Sequence, residues 1–237
     1  MPPAKHSPQA LPIYVQIAEL LTRDIVAGRL IDGERLPPER DMATELGVSV
    51  GTLRKALQGM TDKGLIERVQ GSGNYVQATK ETSSIYSFFR VELIAGGGLP
   101  TARVLSLDHA SKPDDWINSD LVSGTQRIRR MRYLNGRPAV LEEVHLDRDV
   151  CPTLNLDDLS EALYVMYRRK LNLWITTAED RVTQRPVPEW VPDEFGLKAG
   201  ANTICVLRTS FDQNNRAVEY SFSWIDTNIA QYVARIK

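Results

Sequence analysis

A chain of 237 residues holds one large domain or two modest ones, each long enough to bury a core. Its composition, 42% hydrophobic and 25% charged, excludes a disordered polar chain, and no apolar run approaches the roughly 18 residues that a membrane-spanning helix needs. The formal net charge of −1 excludes a broadly basic surface, so any contact with nucleic acid has to come from a local patch.

Residues 1–11 are proline-rich and polar and are expected to form a disordered arm. Ile13, Ile17, Leu20, Leu21 and Ile25 recur at helical spacing and mark an amphipathic first helix that ends before Gly28, with these residues in the core. A second helix is predicted over 38–46, with Pro38 at its first helical position and Gly47 closing it. The third is predicted over 49–64. Ser49 suits its N-cap, because the hydroxyl can accept from a free amide of the first turn, and Gly64 supplies a left-handed stop. Leu53, Ala56, Leu57 and Met60 fall on one face of this helix, and Gly51, Arg54, Lys55 and Gln58 on the other.

Any globular protein carries amphipathic surface helices, so the pairing says more than either helix. Two short helices joined by Gly47-Val48-Ser49, the second with a basic outer face, read as a helix-turn-helix. Strand-like runs over 65–69 and 74–76 then enclose Gln70-Gly71-Ser72-Gly73, a glycine-rich hairpin tip. A recognition helix followed at once by a hairpin is a winged helix, and a tip without bulk lets its backbone approach a phosphate chain or a minor groove. Residues 1–77 carry nine Lys and Arg against nine Asp and Glu, but the acids group on the first two helices, while 49–58 holds Arg54 and Lys55 and no acid. That placement predicts base reading with weak non-specific affinity.

The polar run QATKETSS has no apolar periodicity, and 78–84 reads as a linker between a first domain over 11–77 and a second over 85–237. In the second domain, 85–94 and 102–107 look like strands, interrupted by Gly96-Gly97-Gly98-Leu99-Pro100. Strands over 125–134 and 138–146 flank Asn135-Gly136, a strong hairpin signal. A helix is predicted over 159–170, capped by Asp157 or Asp158, then a long strand over 173–187 and a short helix over 189–195 stopped by Gly196. A last hairpin joins 203–211 to 217–224. Strands joined by hairpins, with one or two helices, give a mostly antiparallel α+β domain. Cys151 and Cys205 are read as buried free thiols. With His6, His109 and His145 they make no metal-ligand spacing, and neither metal nor cofactor is expected.

Arg130 and Arg132 sit two apart on a predicted strand and so share one face. Two guanidiniums about 7 Å apart repel unless an anion lies between them, a spacing that suits a clamp for phosphate or carboxylate. A solvated strand face is the plain alternative, since Arg127 and Arg129 extend the charged run. The facing strand offers Glu142 and Glu143. With a two-residue turn Leu134 pairs with Arg137 and Glu142 falls opposite Arg129; with a three-residue loop and a bulge Glu142 faces Arg130. Both registers stay open on these residues alone.

The run from Tyr14 to Val76 resembles the winged-helix domain of the GntR family of bacterial transcription regulators. The resemblance rests on Tyr14-Val15-Gln16-Ile17, Gly28-Arg29-Leu30, Gly33-Glu34-Arg35-Leu36-Pro37-Pro38-Glu39-Arg40, Leu46-Gly47-Val48-Ser49, Thr52-Leu53-Arg54-Lys55-Ala56-Leu57, Gly64-Leu65-Ile66 and Gln70-Gly71-Ser72-Gly73. It implies a DNA contact set of Arg40, Ser49, Val50, Gly51, Thr52, Arg54, Gly71, Ser72 and Gly73. Residues from about 85 onward resemble the UTRA effector-binding domain of the HutC subfamily, a chorismate lyase-like fold. Arg130-Met131-Arg132, Asn135-Gly136-Arg137-Pro138 with Glu142, Leu163-Tyr164, residues 193–197 and Val218-Glu219-Tyr220 carry that likeness. What it implies is an effector set of Arg130, Arg132, Glu142, Tyr164 and Glu219, with the arginines on an acidic group, and it favours the odd-length loop. Two positions depart from the family pattern: Val50 stands where many relatives have arginine, and Ala162 where serine is common.

The expectation is therefore a cytoplasmic transcriptional repressor, a homodimer on a pseudo-palindromic operator, controlled by a small anionic effector, a phosphosugar or a carboxylate. The alternative is a lyase or hydrolase acting on an acidic substrate in the C-terminal domain. His109 and His145 lack an evident Ser or Cys partner for such chemistry.

Overall fold

The computed structural model describes residues 11–26, 29–77, 88–116, 124–159 and 162–235. The expected arm up to residue 10 and the expected linker over 78–84 lie outside them. Contacts divide the chain into two compact units, one over Leu11–Arg90 with Gly97–Pro100, the other over Thr101–Tyr232 with Val91–Gly96. Among the described residues no helix is long and apolar enough to cross a membrane.

The first unit packs helices α1 (Ile13–Val26), α2 (Glu39–Glu45) and α3 (Val50–Asp62) against the antiparallel hairpin of β1 (Ile66–Val69) and β2 (Gly73–Val76). Ile17, Leu20, Leu21 and Ile25 of α1 meet Met42 and Ala43 of α2 and Leu53, Ala56, Leu57 and Met60 of α3 in one core, closed by Leu65, Ile66 and Val76. The predicted stripe on α3 is thus the buried one. Ser49 is its N-cap, accepting from the Thr52 amide at 3.1 Å, and Gly64 follows the helix at φ +68°. Pro38 is corrected by one position. It is the N-cap of α2, with ψ 139°, and its carbonyl accepts from the amides of Asp41 and Met42, so the helix begins at Glu39. Glu39 and Asp41 then occupy the first turn, where the helix dipole favours acids.

The second unit is built on a six-stranded sheet of β4 (Pro100–Ala110), β5 (Thr125–Leu134), β6 (Arg137–Asp147), β7 (Thr177–Pro186), β8 (Asn202–Phe211) and β9 (Ala217–Ile225), in the order β4-β5-β6-β9-β8-β7. Every pair with a described register runs antiparallel. One face carries an aromatic core of Trp116, Tyr220, Phe222 and Trp224 with Met131, Leu141 and Phe195. Helix α4 (Leu163–Leu171) lies over the other. A separate two-stranded ladder pairs β3 (Val91–Leu93) with β10 (Ala230–Tyr232).

Several expected elements change. The strand over 85–94 shrinks to β3, because only Val91, Glu92 and Leu93 face β10, which sequence alone did not suggest; residues 85–87 lie outside the description. The helix over 159–170 starts at Leu163, behind an Ala162 cap that makes no side-chain bond. Asp157 and Asp158 belong instead to a 3-10 turn, where the Asp158 carboxylate accepts from the Asn155 amide. The strand over 173–187 begins only at Thr177, opposite Phe211 where β8 ends. No helix forms over 189–195. Two separate turns stand there, closed by Val191 N–H to the Pro188 carbonyl and Phe195 N–H to the Pro192 carbonyl. Pro192 has no N–H with which to carry a helix forward from Pro188. Cys151 and Cys205 are buried free thiols.

Candidate DNA interface and effector site

On the first unit, Arg40, Ser49, Gly51, Arg54 and Gly71 are exposed, and Val50, Thr52, Ser72 and Gly73 are half-buried. Ser49 and Thr52 share a hydroxyl contact of 2.8 Å, which together with the cap fixes the start of α3. Val50, at the first position of α3, is half-buried and packs in part against the core of this unit. Lys55 lies 4.0 Å from the Tyr14 ring centroid, a cation–π contact that holds α3 to α1.

The wing and the start of α2 enclose a cleft of about 620 Å³ lined by Arg35, Glu39, Arg68 and the tip residues 70–73. Glu39 reaches across it. Its carboxylate lies 2.6 Å from Arg54 Nε on α3 and 3.2 Å from Arg68 Nη2 on β1. Arg35 bridges to Tyr75, and Gly73 sits at φ +141°, a conformation that L side chains rarely adopt, with the Arg35 Nε 3.1 Å from where a Cβ would stand. Arg35 and Arg68 were missed as members of this surface. Strand alternation did not reveal Arg68, because it places residue 68 on the same face as buried Ile66; Arg68 is exposed because it lies toward the tip of the hairpin.

Gly71 sits at φ +75° with open space around it, so glycine is required by conformation and not by contact. Gly71→Val places a β-branched residue where left-handed backbone costs about 1–2 kcal/mol. The wing is expected to refold locally and operator affinity to fall in an anisotropy titration, while the melting transition of the second unit stays at its wild-type temperature. Unchanged operator affinity would remove the wing from the contact surface.

On the second unit the structure brings the expected effector residues onto one sheet face. Arg130, Arg132, Glu142 and Glu219 are all buried. Arg130 Nη2 donates to Glu142 Oε2 at 2.5 Å and Arg132 Nε to Glu142 Oε1 at 2.6 Å, so the anion between the two guanidiniums is the chain's own carboxylate. The arginine pair thus has an intramolecular anion of its own, and neither guanidinium lies on a solvated face. The register that produces it is unexpected. The loop has two residues, with Leu134 paired to Arg137 across Asn135 at φ +50° and Gly136 at φ +74°. A bulge then restores the pairing: Tyr133 faces Pro138 but Arg132 faces Val140, so Ala139 is the extra residue and Glu142 comes opposite Arg130. Pro138 has no N–H to give the ladder, which makes its neighbourhood the cheap place to interrupt it.

Across the sheet, the Glu219 carboxylate accepts from Tyr167 at 2.5 Å, Tyr164 at 3.0 Å and Ser210 at 3.0 Å. Burial and the neighbouring Glu219 carboxylate push both phenols well above their ordinary range, so each stays a donor across neutral pH. Arg208, two residues before Ser210 on the same face, makes a double contact of 2.6 and 2.7 Å with Asp180, whose carboxylate also accepts from Tyr232. Tyr167, Ser210, Arg208 and Asp180 were not among the expected residues. Tyr167 was findable, since it stands one helical turn beyond Tyr164.

Burial works to raise the Glu142 carboxyl, but Arg130 and Arg132 outweigh it and hold the group below the usual carboxylate range. On the opposite face Glu143 is also held low, against burial, by His145 at 3.0 Å and Arg129 at 2.7 Å. A carboxylate depressed by folding contributes stability that is fully present above its unfolded value of about 4.3 and is lost as pH falls through the folded value. The denaturant midpoint of the second unit is expected to decline below about pH 4.3. A midpoint that rises on acidification contradicts these ion pairs.

A winged helix-turn-helix with an arginine-bearing cleft, followed by a six-stranded sheet with a buried charged face, is the architecture of a DNA-binding regulator carrying a sensor domain. Residues 13–76 match the bacterial regulatory proteins of the gntR family, and residues 96–230 match the UTRA domain. The chain belongs to the GntR family and is a transcriptional regulator with a UTRA effector-binding domain, the type that binds operator DNA and a small-molecule effector. It is 51% identical over 233 residues to the HTH-type transcriptional regulator SmoD of Agrobacterium fabrum, covering 98% of this chain and 100% of that one. It is 27% identical to the HTH-type transcriptional repressor NagR of Bacillus subtilis, over 92% of this chain and 91% of that one. With the mannosyl-D-glycerate transport/metabolism system repressor MngR of Escherichia coli the identity is 28%, over 92% of each. The fold matches the crystal structure of YydK from Bacillus subtilis with a TM-score of 0.54 at 23% identity, over 94% of this chain and 99% of that one. Family and relatives are regulators, so the lyase or hydrolase reading is dropped.

Proposed function

We propose that the chain is a repressor whose operator affinity is set by a small, hydroxyl-rich organic anion bound on the sheet face beneath α4. The observation that carries this reading is the burial of Arg130, Arg132, Glu142 and Glu219 on one face. Burying ionisable groups is costly and is tolerated where a function needs them, whereas a face serving only as core would be apolar. Arg130 and Arg132 take the effector's acidic group, which replaces Glu142 on one guanidinium, while Glu142, Tyr164 and Glu219 meet its hydroxyls. Two relatives are named as repressors, and one of them serves a mannosyl-D-glycerate system, a metabolite that joins sugar hydroxyls to a carboxylate. The reading divides the chain into a DNA-binding half over 11–77, a linker over 78–84 and an effector-binding and dimerisation half over 85–237. It places a homodimer in the cytoplasm, on a pseudo-palindromic operator. On the DNA side Arg40, Ser49, Val50, Gly51, Thr52 and Arg54 face the groove, with Gly71, Ser72 and Gly73 at the wing.

A thermal-shift screen against sugar acids, phosphosugars and amino-acid catabolites tests the effector class. A ligand at about a hundred times its dissociation constant adds roughly 2.7 kcal/mol of stability. The expected hit carries a carboxylate or phosphate and disappears in Arg132→Ala. A neutral hit that persists undiminished in Arg132→Ala contradicts the anion reading.

A further inference from the structure

A single carboxylate ties together the recognition helix, the wing and α2. Glu39 opens α2, and its side chain is 17% exposed, while those of Arg54 and Arg68 are 61% and 54% exposed. The acid is held in place and the two guanidinium heads stay open to solvent. Because Glu39 takes the Nε of Arg54, the terminal amines of that head are not engaged by the carboxylate. Those amines are the donors that a guanine edge or a phosphate accepts. A loose arginine loses rotamer freedom when it is ordered, and an arginine already fixed by a carboxylate loses less.

We propose that Glu39 is a positioning residue for sequence reading. It fixes Arg54 and Arg68 at a set separation, so that helix and wing meet DNA as one rigid pair. Its own negative charge also repels the phosphate chain. That repulsion weakens every DNA complex alike, and it is offset only where Arg54 finds its base. Positioning and repulsion thus act in opposite directions on specific and non-specific binding. The inference rests on the reading of α3 and the wing as the DNA-contacting surface.

The test uses the full-length chain and two probes: a duplex selected by the wild-type chain from a random library, and a scrambled duplex of the same length and composition. Glutamine at position 39 can accept from one arginine only, and its amide turns a donor toward the other. Glu39→Gln is expected to lower affinity for the selected duplex about 10-fold and to raise it for the scrambled one about 3-fold, with preference relaxed at the base pair that Arg54→Ala also relaxes. The salt slope on the scrambled duplex should steepen by about one. Glu45→Gln, which removes the same charge from the other end of α2, should leave the ratio of the two affinities at its wild-type value. In a chain that already carries Arg54→Ala and Arg68→Ala, Glu39→Gln should shift that ratio less than about 2-fold. An unchanged ratio in Glu39→Gln overturns the proposal. So does an equal loss on both duplexes with a lowered unfolding midpoint, which makes Glu39 a structural tie only. If the wild-type chain selects no sequence at all, the DNA-contact reading beneath the inference fails with it.

Discussion

Glu142→Ala is expected to destabilise the UTRA unit by about 3–5 kcal/mol, the cost of leaving buried charge uncompensated. Arg130 and Arg132 both donate to this carboxylate, and all three side chains are buried. Removing the acid leaves two like charges facing one another across the site it occupied, with little water to screen them. The loss should appear as a lowered denaturant midpoint at unchanged slope. Sulfate or phosphate should restore part of the lost stability, because either can take the carboxylate's place between the guanidiniums and a ligand of the native state alone stabilises by mass action. Glu142→Gln should cost less, since its amide oxygen still accepts from one arginine. A loss under about 1 kcal/mol in Glu142→Ala, the range of surface pairs, would show that the triad is solvated.

Arg54→Ala is expected to cost about 1–3 kcal/mol of operator affinity if the side chain reads a base, with relaxed preference at one position of each half-site. Arg54 projects from the second turn of α3, is well exposed, and is already oriented by Glu39. If it meets only phosphate, affinity falls evenly across sequences and the salt slope shrinks by about one. The two results are separated by titrating the selected and scrambled duplexes at several salt concentrations. Unchanged affinity and slope in the variant would take Arg54 out of the interface.

The winged helix was legible because each of its signals is local. Ser49 caps α3, the period of Leu53, Ala56, Leu57 and Met60 marks its buried face, and Gly64 ends it, all within one short window. Val50 is half-buried against the core of the first unit, a degree of burial that spacing alone does not show. In the sheet, Arg130 and Arg132 were legible as a pair through their two-residue spacing. Their partner was not, because a turn and a bulge each shift register by a residue and the sequence reveals neither separately; Pro138 beside Ala139 was the available clue. Ser210 and Arg208 were invisible for a related reason. Ser210 lies opposite Glu219 only after a second register shift between Ser210 and Phe211, and Arg208 meets Asp180 through a third strand. The false helix over 189–195 had an apolar pattern compatible with a helix, and Pro192 outweighed it.

Operator affinity measured with and without effector is the most direct measurement. The full-length chain is titrated into its selected duplex by anisotropy, first alone and then with the metabolite that raises its melting temperature most. Couplings between sites are typically about 1–3 kcal/mol, or roughly 5- to 150-fold in affinity. A regulator controlled through its UTRA face should show a change in that range in the wild-type chain and none in Arg132→Ala, whose ligand-free affinity stays close to wild type. A metabolite that binds and stabilises the chain yet leaves operator affinity unmoved would contradict control of DNA binding by this site.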